Sequence, residues 1–149
     1  MGLKAGQIIF VRGDSLISSF IRYFDRGQFS HVCVMVSNTH CVEAQYSTKV
    51  RITPMNYKNY EVVDLRLTQQ EQDSIVHNAI DFCGKWYDYQ TILKLVAKDI
   101  LKRNDLNLWS NPNSLICSEL VYSLLMTIGR YEDSALLTPN QLYKLLSQK

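Results

Sequence analysis

Apolar residues in the first half of the chain fall into short runs that are typical of β-strands. Each run is bounded by polar or turn-forming residues, and the five runs lie at residues 7–12, 30–36, 40–46, 48–53 and 60–65. The link Ser37-Asn38-Thr39 between the second and third runs has residue types that favour a β-hairpin turn. The pattern therefore predicts an antiparallel sheet.

Apolar residues at helical spacing are frequent in the rest of the chain. Helices are predicted at residues 14–24, 68–84 and 89–101, and from residues 117 and 139 onward. Thr68 and Glu71 have the spacing of a capping box, which marks the start of the second helix. The polar segment 102–113, which contains Pro112, is predicted to be a loop. Because the helices are segregated from the sheet, the chain is predicted to have an α+β fold.

The length and composition match one ordinary domain. A chain of 149 residues with 46% hydrophobic content can bury a substantial core, and no repeat or linker divides it, so a single domain over residues 1–149 is predicted. The net charge of +2 is small, and the basic residues do not cluster. Nucleic acid is therefore not an expected partner, and the composition leaves the oligomeric state open.

The N-terminal segment lacks the features of a targeting sequence. Its apolar stretch is broken by Arg12 and Asp14, unlike the continuous apolar region of a signal peptide. Gly6 stands where an N-myristoylation motif has Ser or Thr, and no apolar run approaches transmembrane length. We therefore expect a protein that starts in the cytoplasm without a stable membrane anchor, and release after cell lysis stays open.

The four cysteines have no Cys-x-x-Cys spacing and lie in predicted strands or helices, at positions 33, 41, 83 and 117. This pattern favours free thiols over a disulfide framework. A zinc site that includes both His40 and Cys41 is not expected, because adjacent side chains in a strand point to opposite faces of the sheet. No metal or other cofactor is predicted, and Cys33, Cys41 and Cys83 are assigned to packing.

His31 and Cys117 are the two residues that most strongly indicate chemistry. His31 lies in an apolar strand run, and Cys117 opens an amphipathic helical run. Asn113 and Ser114 are candidate helix caps, which predicts Cys117 in the first helical turn, where free backbone N–H groups favour a thiolate. One interpretation is a cysteine nucleophile with a histidine base. The other is a buried core thiol and a hydrogen-bonded core histidine.

Two residues are candidates for orienting the His31 imidazole. If the hairpin turns at Asn38, position 31 lies opposite position 45 on the next strand. Glu43 is then a diagonal neighbour of His31 on the same face of the sheet, within reach of its long side chain. Gln45 is the direct cross-strand alternative for the same role, so the choice between Glu43 and Gln45 stays open.

Six segments along the chain match, in order, the motifs of a known family. Phe29-Ser30-His31-Val32 matches its histidine motif, and residues 116–121, with the sequence Ile-Cys-Ser-Glu-Leu-Val, match its cysteine motif. The other four segments are a first strand at 5–12, a strand with a polar residue at 42–44, the Gly-Lys-Trp-Tyr-Asp-Tyr segment at 84–89 and the start of a last helix at 137–139. By these motifs the chain resembles the permuted NlpC-type branch of the papain-like superfamily, the YiiX-like proteins.

This resemblance implies a circularly permuted papain-like fold and a cysteine peptidase or amidase. It implies Cys117 as the nucleophile, His31 as the base and then the acid, and Glu43 as the group that holds the imidazole. The implied reaction transfers an acyl group from a peptide, amide or other acyl substrate to the thiol, and water then releases it. Backbone N–H groups near Cys117 are expected to stabilise the oxyanion. The chain departs from the family pattern at Gln7, where an acidic residue is usual, and in a longer polar loop at 103–113.

The resemblance leaves the substrate open. Hydrolysis of an amide or peptide bond, as in a cell-wall peptide, is the leading hypothesis, and a lipid acyl-modifying or thioesterase activity of the lecithin retinol acyltransferase-like type is an alternative. A catalytically inactive binding module is a third hypothesis, with aromatic-rich stretches at 86–89 and 107–109 as its recognition surface. Tyr87 and Tyr122 are candidate substrate-binding residues.

Overall fold

The computed structural model of the protein describes residues 2–12, 27–44, 49–84, 112–131 and 137–148. Within these ranges the strands are β1 (Ile8–Val11), β2 (His31–Met35), β3 (His40–Glu43), β4 (Arg51–Pro54) and β5 (Tyr60–Val63). The helices are α1 (Gln69–Phe82), α2 (Pro112–Thr127) and α3 (Pro139–Ser147). All five predicted strands are present, and β4 begins three residues later than expected. The predicted helices at 14–24 and 89–101 lie outside the described residues.

The five strands form one antiparallel sheet in the order β4-β3-β2-β1-β5. Strand β2 therefore lies in the middle of the sheet, and His31 is its first residue. In the β2–β3 hairpin, Val34 lies opposite Val42 and Met35 lies opposite Cys41. An antiparallel sheet with separate helices confirms the predicted α+β class.

Both faces of the central strands are buried. On one face, Phe10 and Val32 belong to the main core, which includes the inner side of α2. Helix α2 packs against β2 and against both of the other helices. On the opposite face, Ile9 and Cys33 belong to a second apolar cluster, against which Tyr57 packs. Burial on both faces explains why β1 and β2 have nearly continuous apolar sequences instead of alternating ones.

Two helices begin with capping boxes that fix where they start. The Thr68 hydroxyl accepts a hydrogen bond from the Glu71 backbone N–H, and the Glu71 carboxylate accepts one from the Thr68 backbone N–H, so the predicted box is confirmed. Thr138 and Gln141 form the same arrangement at the start of α3, where Pro139 occupies the first turn. Among the helices that the structure describes, none has the length and apolar character needed to cross a membrane.

Helix α2 begins at Pro112, so the predictions of a loop through residue 113 and of Cys117 in the first helical turn were wrong. Proline is favoured in the first turn because its φ is already helical and its missing N–H has no partner there. Asn113 and Ser114 consequently lie inside the helix instead of capping it. Cys117 therefore lies beyond the first turn, within which the helix-terminus effect on charges decays.

Candidate active site

The three residues predicted for catalysis come together from three elements. His31 lies at the start of β2, Glu43 at the end of β3, and Cys117 in the second turn of α2. The His31 side chain is 13% exposed, the Glu43 side chain is 2% exposed, and Cys117 is fully buried. Helix α2 packs against β2, and the charge and hydrogen bond of Cys117 raise the pKa of His31, so the thiol lies beside the imidazole.

The register of the hairpin accounts for the contact between His31 and Glu43. Because Val34 lies opposite Val42, Glu43 is a diagonal neighbour of His31 on the same face of the sheet, as the predicted turn requires. His31 Nε2 and Glu43 Oε2 are 3.0 Å apart. Glu43 is therefore in contact with the imidazole, whereas Gln45 lies outside the described residues.

Glu43 is a buried carboxylate that accepts hydrogen bonds from three side chains. Its Oε1 accepts from Arg51 twice, from Nε at 3.1 Å and from Nη2 at 2.8 Å. Its Oε2 accepts from the Tyr57 hydroxyl at 2.5 Å and from His31. Arg51 lies opposite Glu43 on β4, and the Tyr57 ring packs beside the His31 ring with centroids 5.6 Å apart. These bonds fix the orientation of the carboxylate.

The same hydrogen bonds determine where the protons lie. Burial alone raises the pKa of Glu43, but the hydrogen bonds from His31, Tyr57 and Arg51 outweigh burial and lower this pKa to about 2. Burial and the neighbouring carboxylate raise the pKa of Tyr57, so the phenol keeps its proton and donates a hydrogen bond to Glu43. Since an ionised carboxylate only accepts hydrogen bonds, His31 Nε2 carries a proton and donates to Glu43.

With Nε2 bonded to Glu43, Nδ1 is the His31 nitrogen that remains for a second partner. Burial lowers the pKa of His31, but the charge and hydrogen bond of Cys117, together with those of Glu43, outweigh burial and raise this pKa to about 10. The imidazole is therefore favoured in its protonated form. A protonated imidazole beside a thiol is the arrangement that stabilises a thiolate in cysteine nucleophiles.

The remaining cysteines have different surroundings. All four cysteines are free, and Cys33 and Cys41 are buried together in the apolar cluster on the second face of the sheet. The hydrogen bond to Cys41 and burial raise the pKa of Cys33 well above its ordinary value, which keeps this residue a thiol. Cys83 follows the last residue of α1 and is half-buried, and burial raises its pKa as well. Cys117 is the cysteine that hydrogen-bonds to His31.

Arg51 and Tyr57 are site residues that the sequence analysis missed. Arg51 belongs to the predicted fourth strand, and a register for β3 and β4 places it directly opposite Glu43 as an oppositely charged cross-strand pair. The opposite charges of Arg51 and Glu43 are visible in the sequence. Pairing them, however, requires a prediction of the turn between β3 and β4. Tyr57 lies between β4 and β5, and no periodic pattern assigns a position to its side chain.

The two residues predicted to bind substrate are not both described. Tyr87 lies outside the described residues. Tyr122 is 5% exposed in the main core, and its ring packs beside the ring of Tyr131 with centroids 5.4 Å apart. The role of both tyrosines in substrate binding stays a prediction.

The pKa values of Glu43 and His31 predict how stability depends on pH. The pKa of Glu43 falls from 4.5 to about 2, so its contribution is complete above pH 4.5 and is lost as the pH falls towards 2. The pKa of His31 rises from 6.5 to about 10, so its contribution is complete below pH 6.5 and is lost as the pH rises towards 10. Urea unfolding across this range should therefore give a maximum free energy of unfolding between these two limits.

The variant Glu43→Gln tests how the free energy of unfolding depends on the Glu43 carboxylate at acid pH. We expect the stability difference between wild type and Glu43→Gln to shrink by on the order of 3 kcal/mol as the pH falls from 4.5 to 2. A difference that stays constant over this range would show that the Glu43 carboxylate is not the stabilising group.

The sheet, the helices and the site define an α+β protein with a YiiX-like fold. A similar solved structure is that of the metalloprotein YiiX from Escherichia coli O157:H7, which has 21% sequence identity and a TM-score of 0.56 over 86% of this chain and 67% of that chain. No protein-family model and no curated protein sequence matches this chain. At this identity the likeness concerns the fold, and the function has to be argued from the site.

Proposed function

We propose that the protein is a cysteine hydrolase that cleaves an amide or peptide bond through a covalent acyl-enzyme. One observation carries the proposal: His31 lies 3.0 Å from the Glu43 carboxylate, and the charge and hydrogen bond of Cys117 raise the pKa of the same imidazole. A thiol, an imidazole and a carboxylate in this order supply a nucleophile, a base and an orienting group, as in papain-like peptidases. A circularly permuted papain-like fold, with the histidine strand before the cysteine helix, is part of this proposal.

In the proposed first half-reaction, the Cys117 thiolate attacks the carbonyl carbon of the substrate. A C–S bond forms, and the electron pair of the carbonyl moves to its oxygen. When this tetrahedral intermediate collapses, the C–N bond breaks and the Nδ1–H of His31 protonates the departing amine. The acyl group is then held on Cys117 as a thioester, and His31 is neutral.

In the second half-reaction, neutral His31 takes a proton from water at Nδ1, and the water oxygen attacks the thioester. The C–S bond breaks, the carboxylic acid leaves, and the protonated imidazole and the Cys117 thiolate are restored. Throughout both steps, Glu43 accepts a hydrogen bond from Nε2–H of His31, which keeps the ring in one orientation. Arg51 and Tyr57 hold the carboxylate in place for this role.

The E. coli structural neighbour is called a metalloprotein, which raises the question of whether this site fits a metal ion. Among the described residues, no three or more His, Cys, Asp or Glu side chains are arranged to hold one. Both oxygens of Glu43 are occupied by hydrogen-bond donors, and the cationic Arg51 lies against the same carboxylate, which opposes a second cation there. The described residues therefore do not fit a metal centre, and no step of the proposed reaction uses one.

Acyl-enzyme trapping tests the proposal and separates the substrate classes. The protein is mixed with the amide, the oxygen ester and the thioester of one N-acetylated dipeptide, quenched in acid and mapped by mass spectrometry. We expect the acyl mass on Cys117 and turnover of the amide. Turnover of the thioester or ester without the amide would favour the acyl-modifying alternative, and the absence of an adduct on Cys117 with all three would contradict a cysteine hydrolase.

The complete burial of Cys117 favours a second candidate, a binding module on the same fold. In that case the thiol fills the core and the hydrogen bonds around Glu43 stabilise the sheet. The two candidates differ in whether Cys117 reacts faster than an ordinary buried thiol. Replacement of His31 should change that reactivity in a hydrolase and leave it unchanged in a binding module.

A further inference from the structure

Asn140, the second residue of α3, binds the backbone next to the proposed catalytic histidine. Its Nδ2 donates to the Phe29 carbonyl at 2.9 Å, and its Oδ1 accepts from the Phe29 N–H at 2.9 Å. The amide therefore bonds to Phe29 as a neighbouring strand would, with one donor and one acceptor. Asn140 is 7% exposed, so these are buried hydrogen bonds.

The surrounding chain fits closely around the Asn140 amide. A Cβ atom at Gly27 would lie 2.0 to 2.4 Å from three atoms of the Asn140 side chain, so only glycine leaves room for the amide there. The Phe29 side chain also packs against α3. Its ring centroid lies 4.6 Å from the ring centroid of Tyr143. Helix α3 thus holds the backbone and the side chain of Phe29 together.

His31 occupies a position that needs such support. It is the first residue of β2, where it lies opposite Val11 of β1. The ends of strands open more readily than their centres, because fewer neighbours hold them. The Ser30 N–H donates to the Val11 carbonyl, and Asn140 binds Phe29, the residue before Ser30. The hydrogen-bonded backbone therefore continues past the end of β2.

We propose that Asn140 is a positioning residue for His31, which acts by holding residues 29 and 30 so that the imidazole stays between Cys117 and Glu43. This inference rests on the proposed function. It gives the start of α3 a role in the proposed reaction, although no residue of this helix belongs to the His31, Glu43 and Cys117 cluster. Asn140 follows Pro139 in the first turn of α3, after the capping box that Thr138 and Gln141 form.

The test compares three variants by the rate at which iodoacetamide alkylates Cys117 at pH 6.5. Asn140→Ala removes both hydrogen bonds, and we expect alkylation at least about tenfold slower than in wild type. Asn140→Asp keeps the shape and the acceptor of the side chain but loses the donor. Its alkylation rate should lie between those of wild type and Asn140→Ala. Thr138→Ala weakens the start of α3 without touching the amide, and should stay within about twofold of wild type.

An NMR titration of the His31 imidazole in the same proteins separates this inference from the proposed function. We expect the His31 pKa to fall towards the ordinary 6.5 in Asn140→Ala and to stay raised in Thr138→Ala. This readout applies even if Cys117 proves unreactive in wild type, a result that would contradict the proposed function alone. If Asn140→Ala does not fold, Asn140→Asp decides the question. Equal titration curves in the Asn140 and Thr138 variants would overturn the positioning role.

Discussion

Replacing Cys117 with alanine is expected to lower amide hydrolysis by on the order of 10⁴- to 10⁶-fold. The covalent route needs the Cys117 thiolate as its nucleophile. In the proposed reaction no other side chain accepts the acyl group. The fold should survive, because alanine removes one sulfur atom from a fully buried position. The measurement is the steady-state rate on the amide that forms the acyl-enzyme, with circular dichroism to verify folding.

Cys83→Ala is the matched control for that experiment. Cys83 is a free, half-buried cysteine beyond the end of α1, and the His31, Glu43 and Cys117 cluster does not include it. We expect its hydrolysis rate to stay within about twofold of wild type. Equal rates for Cys117→Ala, Cys83→Ala and wild type would remove Cys117 from the reaction.

Replacing Glu43 with alanine is expected to lower the free energy of unfolding by about 3 to 5 kcal/mol at pH 6. The Glu43 side chain is 2% exposed and accepts hydrogen bonds from Arg51, Tyr57 and His31. Its removal leaves the His31 and Tyr57 donors without their acceptor in a buried site and opens a cavity. The Arg51 side chain is 49% exposed and reaches water, so the loss of its carboxylate partner contributes less to the fall in the free energy of unfolding. Urea unfolding gives this difference directly.

Glu61→Ala is a close control, because Glu61 has the same kinds of partner at the surface. Its carboxylate pairs with Arg12 and accepts a hydrogen bond from the Tyr143 hydroxyl at 2.7 Å, but the side chain is 36% exposed. Exposed pairs contribute little, so a loss of about 1 kcal/mol or less is expected. If the two variants lose the same stability, the burial of the Glu43 network has no energetic consequence.

The sequence predicted the part of the site that depends on strand pairing. A turn at Asn38 and the two-residue period of strands were enough to make Glu43 a diagonal neighbour of His31, and the structure has that register. The five strands and the capping box at Thr68 also followed from local residue patterns. These features are set by neighbours that are close in sequence, which is why sequence patterns detect them.

Several features of the fold and the site were not settled by local sequence patterns. Helix α2 begins at Pro112 because proline suits a first turn, whereas the surrounding polar residues indicated a loop. Tyr57 and Asn140 reach their partners through tertiary packing, and neither lies in a pattern that identifies the partner. The contact between Cys117 and His31 joins residues far apart in sequence, so the residues alone indicated it only as one of two interpretations.

The most direct measurement is the pH dependence of iodoacetamide alkylation at each cysteine, followed by mass spectrometry in wild type and in His31→Ala. We predict fast labelling of Cys117 in wild type at pH 6 to 7, below the ordinary thiol pKa of about 8.5, and the loss of this fast labelling in His31→Ala. Cys33, which is buried and has a raised pKa, serves as the internal reference. A Cys117 that reacts equally slowly in both proteins would contradict the proposed cysteine hydrolase and favour the binding module.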